Sequence, residues 1–328
     1  MKYIFLIVLI LCLFAGTVNA EEWKPVSIVD DYGYVSQISS KPETIVSLAP
    51  TNTEILFALG LGDKVVGVTE YCSYPEEART KPIVGGYSTI NIEKIVAQNP
   101  DIIFGNTLNG KENIEHLREL GFTVICLNPD SVSGTYSAIS TIGSAAGCPD
   151  VAESYILSMQ KKIDNVTQSV GNTTTVPSVA HMLSVDPYWV SGNSTFQNEL
   201  IELAGGKNIF SDVNGWGVVN IERLITADPD IILVSSGSGM GEDNGNVLLN
   251  TLVSDPRLSQ LSAIKSNRLF VVDSDTFNRG GPRIVDALEE LSVIIPSSGS
   301  GSPTPTTASG FGGLVLCIAL AGIFLRRK

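Results

Sequence analysis

The chain has 328 residues, 43% of them hydrophobic and 17% charged, with 34 acidic against 21 basic side chains and a net charge of −13. An acidic chain without a basic stripe is excluded from nucleic-acid binding and suits a soluble surface outside a cell. Two histidines are too few for a zinc or manganese site built on several converging ligands.

Met1-Lys2, the unbroken apolar run from Ile4 to Phe14 and the small-residue site Val18-Asn19-Ala20 have the layout of a secretory signal peptide over residues 1–20. The apolar run is too short for a stable membrane anchor. From residue 43 strands and helices alternate. Strands are expected at 44–48, 65–68, 102–104 and 123–127, and helices at 53–59, 92–98 and 111–120, forming an N-terminal lobe over 43–148. Apolar runs of four or five residues between helices indicate parallel strands covered on both faces.

Pro149 sits where a helix can start, and Val151, Tyr155, Met159, Ile163, Val166 and Val170 recur at three- and four-residue spacing. A linking helix over 149–171 would be ~30 Å long and leave little room for a wide hinge. Beyond it, a C-terminal lobe over 172–296 is expected. Its strands are read at 178–183, 231–234 and 269–272, and its helices near 196–204, 221–227 and 283–291. The glycines from Ser236 to Gly241 lack the lysine and helix of a phosphate loop and read as a flexible rim.

Residues 297–310 are rich in Ser, Gly, Pro and Thr, the composition of a linker. Residues 311–328 follow as an apolar anchor with the basic tip Arg326-Arg327-Lys328, short for a ~30 Å hydrocarbon core. This tail resembles archaeal C-terminal sorting signals, although Ser309 stands where a proline usually precedes the Gly-Phe pair. Both ends imply an exported protein, tethered at the outer face of the membrane or cell surface through its C-terminal segment. Without the four bases of these termini, 17 bases face 34 acids, a net charge of −17. Cys72, Cys126 and Cys148 lie outside the apolar termini, which allows one disulfide and one free thiol without choosing the pair. Asn165, Asn172 and Asn193 open sequons compatible with glycosylation.

An internal repeat organises the chain. Asn91-Ile-Glu-Lys-Ile-Val-Ala-Gln-Asn-Pro-Asp-Ile-Ile-Phe104 returns as Asn220-Ile-Glu-Arg-Leu-Ile-Thr-Ala-Asp-Pro-Asp-Ile-Ile-Leu233, identical at seven of fourteen positions at an offset of 129. Each copy reads as an Asn-capped helix stopped before Pro-Asp, then a buried strand. The expected fold is therefore α/β: two Rossmann-like lobes with mostly parallel central sheets, joined by one long α-helix, with a ligand cleft between them. The repeat also aligns Tyr87 with Trp216, each four residues before the capping Asn on a Gly-flanked loop. Open α/β sheets bind ligands outside the carboxyl ends of their strands, where these loops would lie.

Several motifs in order resemble the cobalamin-binding proteins of ABC importers, in the helical-linker (class III) binding-protein superfamily shared with ferric siderophore receptors. They are Ser47-Leu-Ala-Pro-Thr-Asn-Thr-Glu-Ile-Leu-Phe-Ala-Leu-Gly60, Tyr71-Cys-Ser-Tyr-Pro75, the segment from Val190 to Phe210, and Ser274-Asp-Thr-Phe-Asn-Arg-Gly-Gly-Pro-Arg283. The resemblance implies a monomer that captures cobalamin as transported ligand, with no cofactor of its own, and delivers it to an ABC permease dimer with its ATPase subunits. Its ligand-facing positions would be Tyr71, Tyr87, Asn106, Trp189 and Trp216, with Asp275, Phe277 and Arg279 at the C-terminal rim. Tyr87 and Asn106 stand where relatives carry tryptophan, which leaves a ferric siderophore or haem as the alternative ligand. Arg279 and Arg283 are the cleft cations a siderophore site would favour, unless Arg283 braces the last helix.

Glu93 and Glu222 follow the capping Asn by two residues, where a carboxylate gains ~0.3–1 kcal/mol from the helix dipole. The resemblance adds that one acid per lobe would dock on arginines of the permease. Catalysis is not expected: His116 reads as a solvated helix residue, His181 as a satisfied core histidine, and no Gly-x-Ser-x-Gly or HExxH pattern is present.

Overall fold

The computed structural model describes residues 23–171, 176–236 and 244–296. The signal peptide, the linker at 297–310, the apolar tail, Asn172 and rim residues 237–241 lie outside them. Among the described residues no helix is long and apolar enough to cross a membrane.

The N-terminal lobe is built on strands β3 (Ile45–Ser47), β4 (Val65–Val68), β5 (Ile102–Gly105) and β6 (Val124–Cys126), all parallel in the order β4-β3-β5-β6. Strands β3, β5 and β6 are buried at every position, the state their unbroken apolar runs require. Helices α1 (Pro50–Ala58), α2 (Ile92–Ala97) and α3 (Lys111–Glu119) connect them. A hairpin ahead of residue 43, β1 (Val26–Val29) with β2 (Val35–Ile38), is fastened to this lobe through Asp30. That buried carboxylate accepts from the Cys126 backbone N–H at 3.0 Å and pairs with Arg118, whose guanidinium stacks 4.0 Å from the Tyr34 ring.

In the C-terminal lobe, β7 (Ser178–Val185) runs parallel to β11 (Ile231–Ser236), which runs parallel to β12 (Leu269–Asp273). On its other side the sheet turns antiparallel, through β8 (Tyr188–Ser191) and β10 (Trp216–Val219). The two-residue Asp186-Pro187 link allows only a hairpin between β7 and β8, so β8 and β10 add an antiparallel edge to the parallel strands expected at 178–183, 231–234 and 269–272. Short β9 (Lys207–Asn208) pairs with the start of β7. Helices α6 (Phe196–Leu203), α7 (Ile221–Ala227), α8 (Asn244–Ser254), α9 (Ser262–Lys265), α10 (Ser274–Phe277) and α11 (Ile284–Ile294) complete the lobe.

Between the sheets lie α4 (Val132–Ala146) and α5 (Pro149–Val170). The expected apolar stripe of α5 is buried at Met159, Ile163, Val166 and Val170, but Val151 is exposed and Ala152 takes its place. A Cβ on Gly143 of α4 would stand 2.4 Å from the Ala152 Cβ, so the glycine lets these helices touch. The linker is thus a packed layer of α4, α5 and α11 whose side chains share one buried cluster with both lobes.

The repeat has a structural cause. Asn91 and Asn220 cap α2 and α7 by accepting from the backbone N–H of Lys94 and Arg223, each at 2.8 Å. Asn99 and Asp228 end these helices at φ of 45° and 40°. Asp101 then accepts from the backbone N–H groups of Glu43 and Thr44, each at 2.8 Å, and donates its own N–H to Thr44 Oγ1. Asp230 holds Ser178 through the same backbone and hydroxyl contacts. Each Pro-Asp therefore ties the incoming strand to its parallel neighbour. These bonds hold the Asp101 carboxyl below the usual carboxylate range.

Candidate functional site

The sheet of the C-terminal lobe presents a row of aromatic and polar side chains on one face. Trp216 opposes Ser191, and Val218 opposes Trp189, so the two indoles are diagonal neighbours on that face. Both remain accessible, Trp216 at 37% and Trp189 at 40%. Gly215, at φ +66°, turns the chain into β10 just ahead of Trp216. Beneath lies His181, fully buried, with Nδ1 3.0 Å from Ser191 Oγ and Nε2 2.7 Å from Ser235 Oγ. Burial pushes the imidazole down to about 3, so it is neutral, as expected of a satisfied core histidine. Its ring meets Trp216 edge-on at 5.7 Å and Phe277 at 4.8 Å.

The loop from Ser274 to Arg283 joins this floor to the other lobe. Arg283 donates through Nε at 2.9 Å and Nη2 at 2.6 Å to the carboxylate of Glu54 on α1, and Arg279 Nη1 lies 3.3 Å from the same carboxylate. Arg279 Nη2 also pairs with Asp275 Oδ1 at 2.7 Å. The Glu54 side chain is 1% exposed, and Arg279 and Arg283 are 12% and 16% exposed. Burial pulls the Arg283 guanidinium down, but the carboxylates of Glu54, Asp273 and Asp275 together outweigh this and hold it above the ordinary arginine value. Arg283 also stacks 4.1 Å from the Tyr74 ring. Two further bonds close the junction: Thr135 Oγ1 donates to Gly280 O at 3.1 Å, and the Val132 N–H to Glu199 Oε2 at 2.8 Å.

The expected site residues divide accordingly. Tyr71, 41% exposed, shares its loop with Tyr74. Tyr87 is half-buried, and burial pushes its phenol up to about 12 against the opposing pull of Arg279. Arg279 and Asp275 meet at the junction, and Phe277, Trp216 and Trp189 belong to the neighbouring face. Phe277, at 1% exposure, and Asp275, at 8%, lie under the surface rather than lining it. Asn106 is buried at 4% with its amide engaged: Nδ2 donates to Leu127 O at 2.8 Å and Asn128 Oδ1 at 3.1 Å, and Oδ1 accepts from the Leu108 N–H. It shapes the turn in which Asn109 Nδ2 donates to Tyr87 O at 2.7 Å.

Glu93 and Glu222 are both exposed, at equivalent positions in the first turns of α2 and α7. His116 is an exposed helix residue 3.6 Å from Glu119. Cys72, Cys126 and Cys148 are all free thiols, so the disulfide allowed by the sequence does not form; burial raises all three, Cys126 to about 12. Of the sequons, Asn165 is exposed on α5, whereas Asn193 spends its amide on Ser211 O at 2.8 Å. No local signal marks Glu54 as a junction residue, although it stands inside the motif from Ser47 to Gly60. Two concavities lie apart from the aromatic face. One of about 410 Å³ is bordered by Val29, Asn128 and Thr141, and one of about 210 Å³ by Asp130, Ser194 and Glu202. The aromatic face and the arginine junction bring together Trp189, Trp216, Asp275, Phe277 and Arg279 of the expected site residues.

Residues 45–276 match the periplasmic binding protein family. The uncharacterized ABC transporter substrate-binding lipoprotein YvrC of Bacillus subtilis is 31% identical over 278 residues, covering 83% of this chain and 85% of that protein. Among solved structures, the periplasmic vitamin B12 binding protein BtuF of Vibrio cholerae superposes with a TM-score of 0.66 at 28% identity, covering 77% of this chain and 96% of that one. The periplasmic heme-binding protein RhuT of Roseiflexus sp. RS-1 gives 0.68 at 28% identity, over 77% and 97%. The chain belongs to the periplasmic binding protein family: it is an extracytoplasmic substrate-binding protein that serves an ABC transporter with its permease and ATPase components, and it is not an enzyme.

Proposed function

We propose that the protein captures cobalamin or a related corrinoid between its lobes and delivers it to the permease. The observation that carries this reading is the pair of accessible indoles, Trp189 and Trp216, on one face beside the junction of Glu54 with Arg279 and Arg283. A large ring with apolar edges gains from stacking on such a surface, by ~0.5–1.5 kcal/mol per aromatic contact beyond burial. The likeness to a vitamin B12 binding protein supports it. Capture needs limited lobe movement, because the α4–α5–α11 layer and the Glu54 junction brace the two halves. Glu93 and Glu222 then seat the loaded monomer on the two permease subunits, while segment 311–328 tethers it at the outer face of the membrane.

Haem is the second reading. It is favoured by the equal likeness to a heme-binding protein and by the exposed Tyr71, whose phenol could ligate iron. Absorbance titration with cyanocobalamin and with haem in parallel decides between them. One-to-one cobalamin binding with no haem Soret shift supports the proposal. A Soret shift lost in Tyr71→Phe, with no cobalamin bound, moves the protein to the haem reading.

A further inference from the structure

Arg279 and Arg283 are the cations that an anionic ligand would seek at the junction of the lobes, and both are already matched. The Glu54 carboxylate takes three guanidinium donors, and Asp275 pairs with Arg279. Two acids thus face two bases. An incoming carboxylate or catecholate would meet two guanidinium groups whose charge is already neutralised, and could claim that charge for itself only by displacing Glu54 or Asp275. Glu54, 1% exposed, would be left as a buried charge without its partners, which is strongly unfavourable. The surrounding chain, at −13 overall, adds to the repulsion of anions.

We propose that the cluster of Glu54, Asp275, Arg279 and Arg283 is the charge-selecting element of the cleft, admitting ligands without net negative charge and refusing anionic metal chelates. The inference rests on the cleft being the binding site and specifies the class of ligand it takes. Had Arg279 and Arg283 been unpaired, the same loop would form an anion receptor. The neutralising acids are what turn it away from one.

The test titrates the full-length protein with two uncharged ligands, cyanocobalamin and a ferric trihydroxamate. Two anionic ones run beside them, a ferric triscatecholate and haem with its two propionates. The expected result is that the best uncharged ligand binds at least about 100-fold tighter than either anion at low salt. Asp275→Asn should narrow that gap by about tenfold, with salt-sensitive binding of the anion. Glu54→Gln should act in the same direction, and Asp275→Asn keeps the test intact if the buried variant fails to fold. An anion bound as tightly as the best uncharged ligand overturns the inference, as does an Asp275→Asn ratio equal to that of the parent. Trihydroxamate binding without cobalamin binding would sink the corrinoid reading and leave the charge rule standing.

Discussion

Acid should weaken this fold through His181. The imidazole is fully buried between two serine hydroxyls and held neutral down to about pH 3, against an ordinary value of 6.5. Between those values the unfolded chain binds a proton at residue 181 that the native state does not. Stability is therefore fully present above pH 6.5 and falls as the pH drops through that window, by about 1.4 kcal/mol per unit. From pH 6.5 to 4.5 the loss from this group is about 2–3 kcal/mol. His181→Gln keeps hydrogen-bonding capacity toward Ser191 and Ser235 but cannot titrate. Urea unfolding of both proteins at pH 7, 6, 5 and 4.5 isolates the effect, because His116 and every carboxylate are common to both. The stability gap between wild type and variant should shrink by about 2–3 kcal/mol over that range. A gap independent of pH would refute the buried, neutral imidazole beneath Trp216 and Phe277.

The junction of the lobes gives a second test. Arg283→Met leaves Glu54 buried with its main partner removed and should cost about 3–5 kcal/mol in chemical denaturation, partly recovered when Glu54→Gln is added. Asp101→Ala and Asp230→Ala each release a strand tie and should cost about 1 kcal/mol apiece. Their effects should add in the double variant, since they act in different lobes. Glu93→Arg and Glu222→Arg should impair uptake while ligand affinity measured on the purified protein holds; normal transport in both would remove them from docking.

The repeat was legible because its signals are local. An Asn cap, a helical stripe and a Pro-Asp stop all lie within fourteen residues, and Tyr87 and Trp216 could be aligned from it. Helix α4 carries no clear sequence signal, because its Ser, Thr, Gly and β-branched residues have weak helical propensity and its burial against α5 decides its state. The β1–β2 hairpin carries a local signal of its own, Asp-Asp-Tyr-Gly between alternating residues. The junction was beyond reach for another reason. Glu54 meets partners 225 and 229 residues away, and no local pattern specifies a pairing at that distance. Equally, the adjacency of Trp189 and Trp216 depends on the β8–β10 register, and Asn106, ligand-facing only by the resemblance, has a turn to hold that packing decides.

Equilibrium titration of the wild-type protein and of Trp216→Ala with cyanocobalamin tests the central claim most directly. Tight one-to-one binding that weakens by at least about tenfold in the variant is the predicted result. No binding by the wild type, or equal affinity in the two proteins, would contradict capture of a corrinoid on this aromatic face.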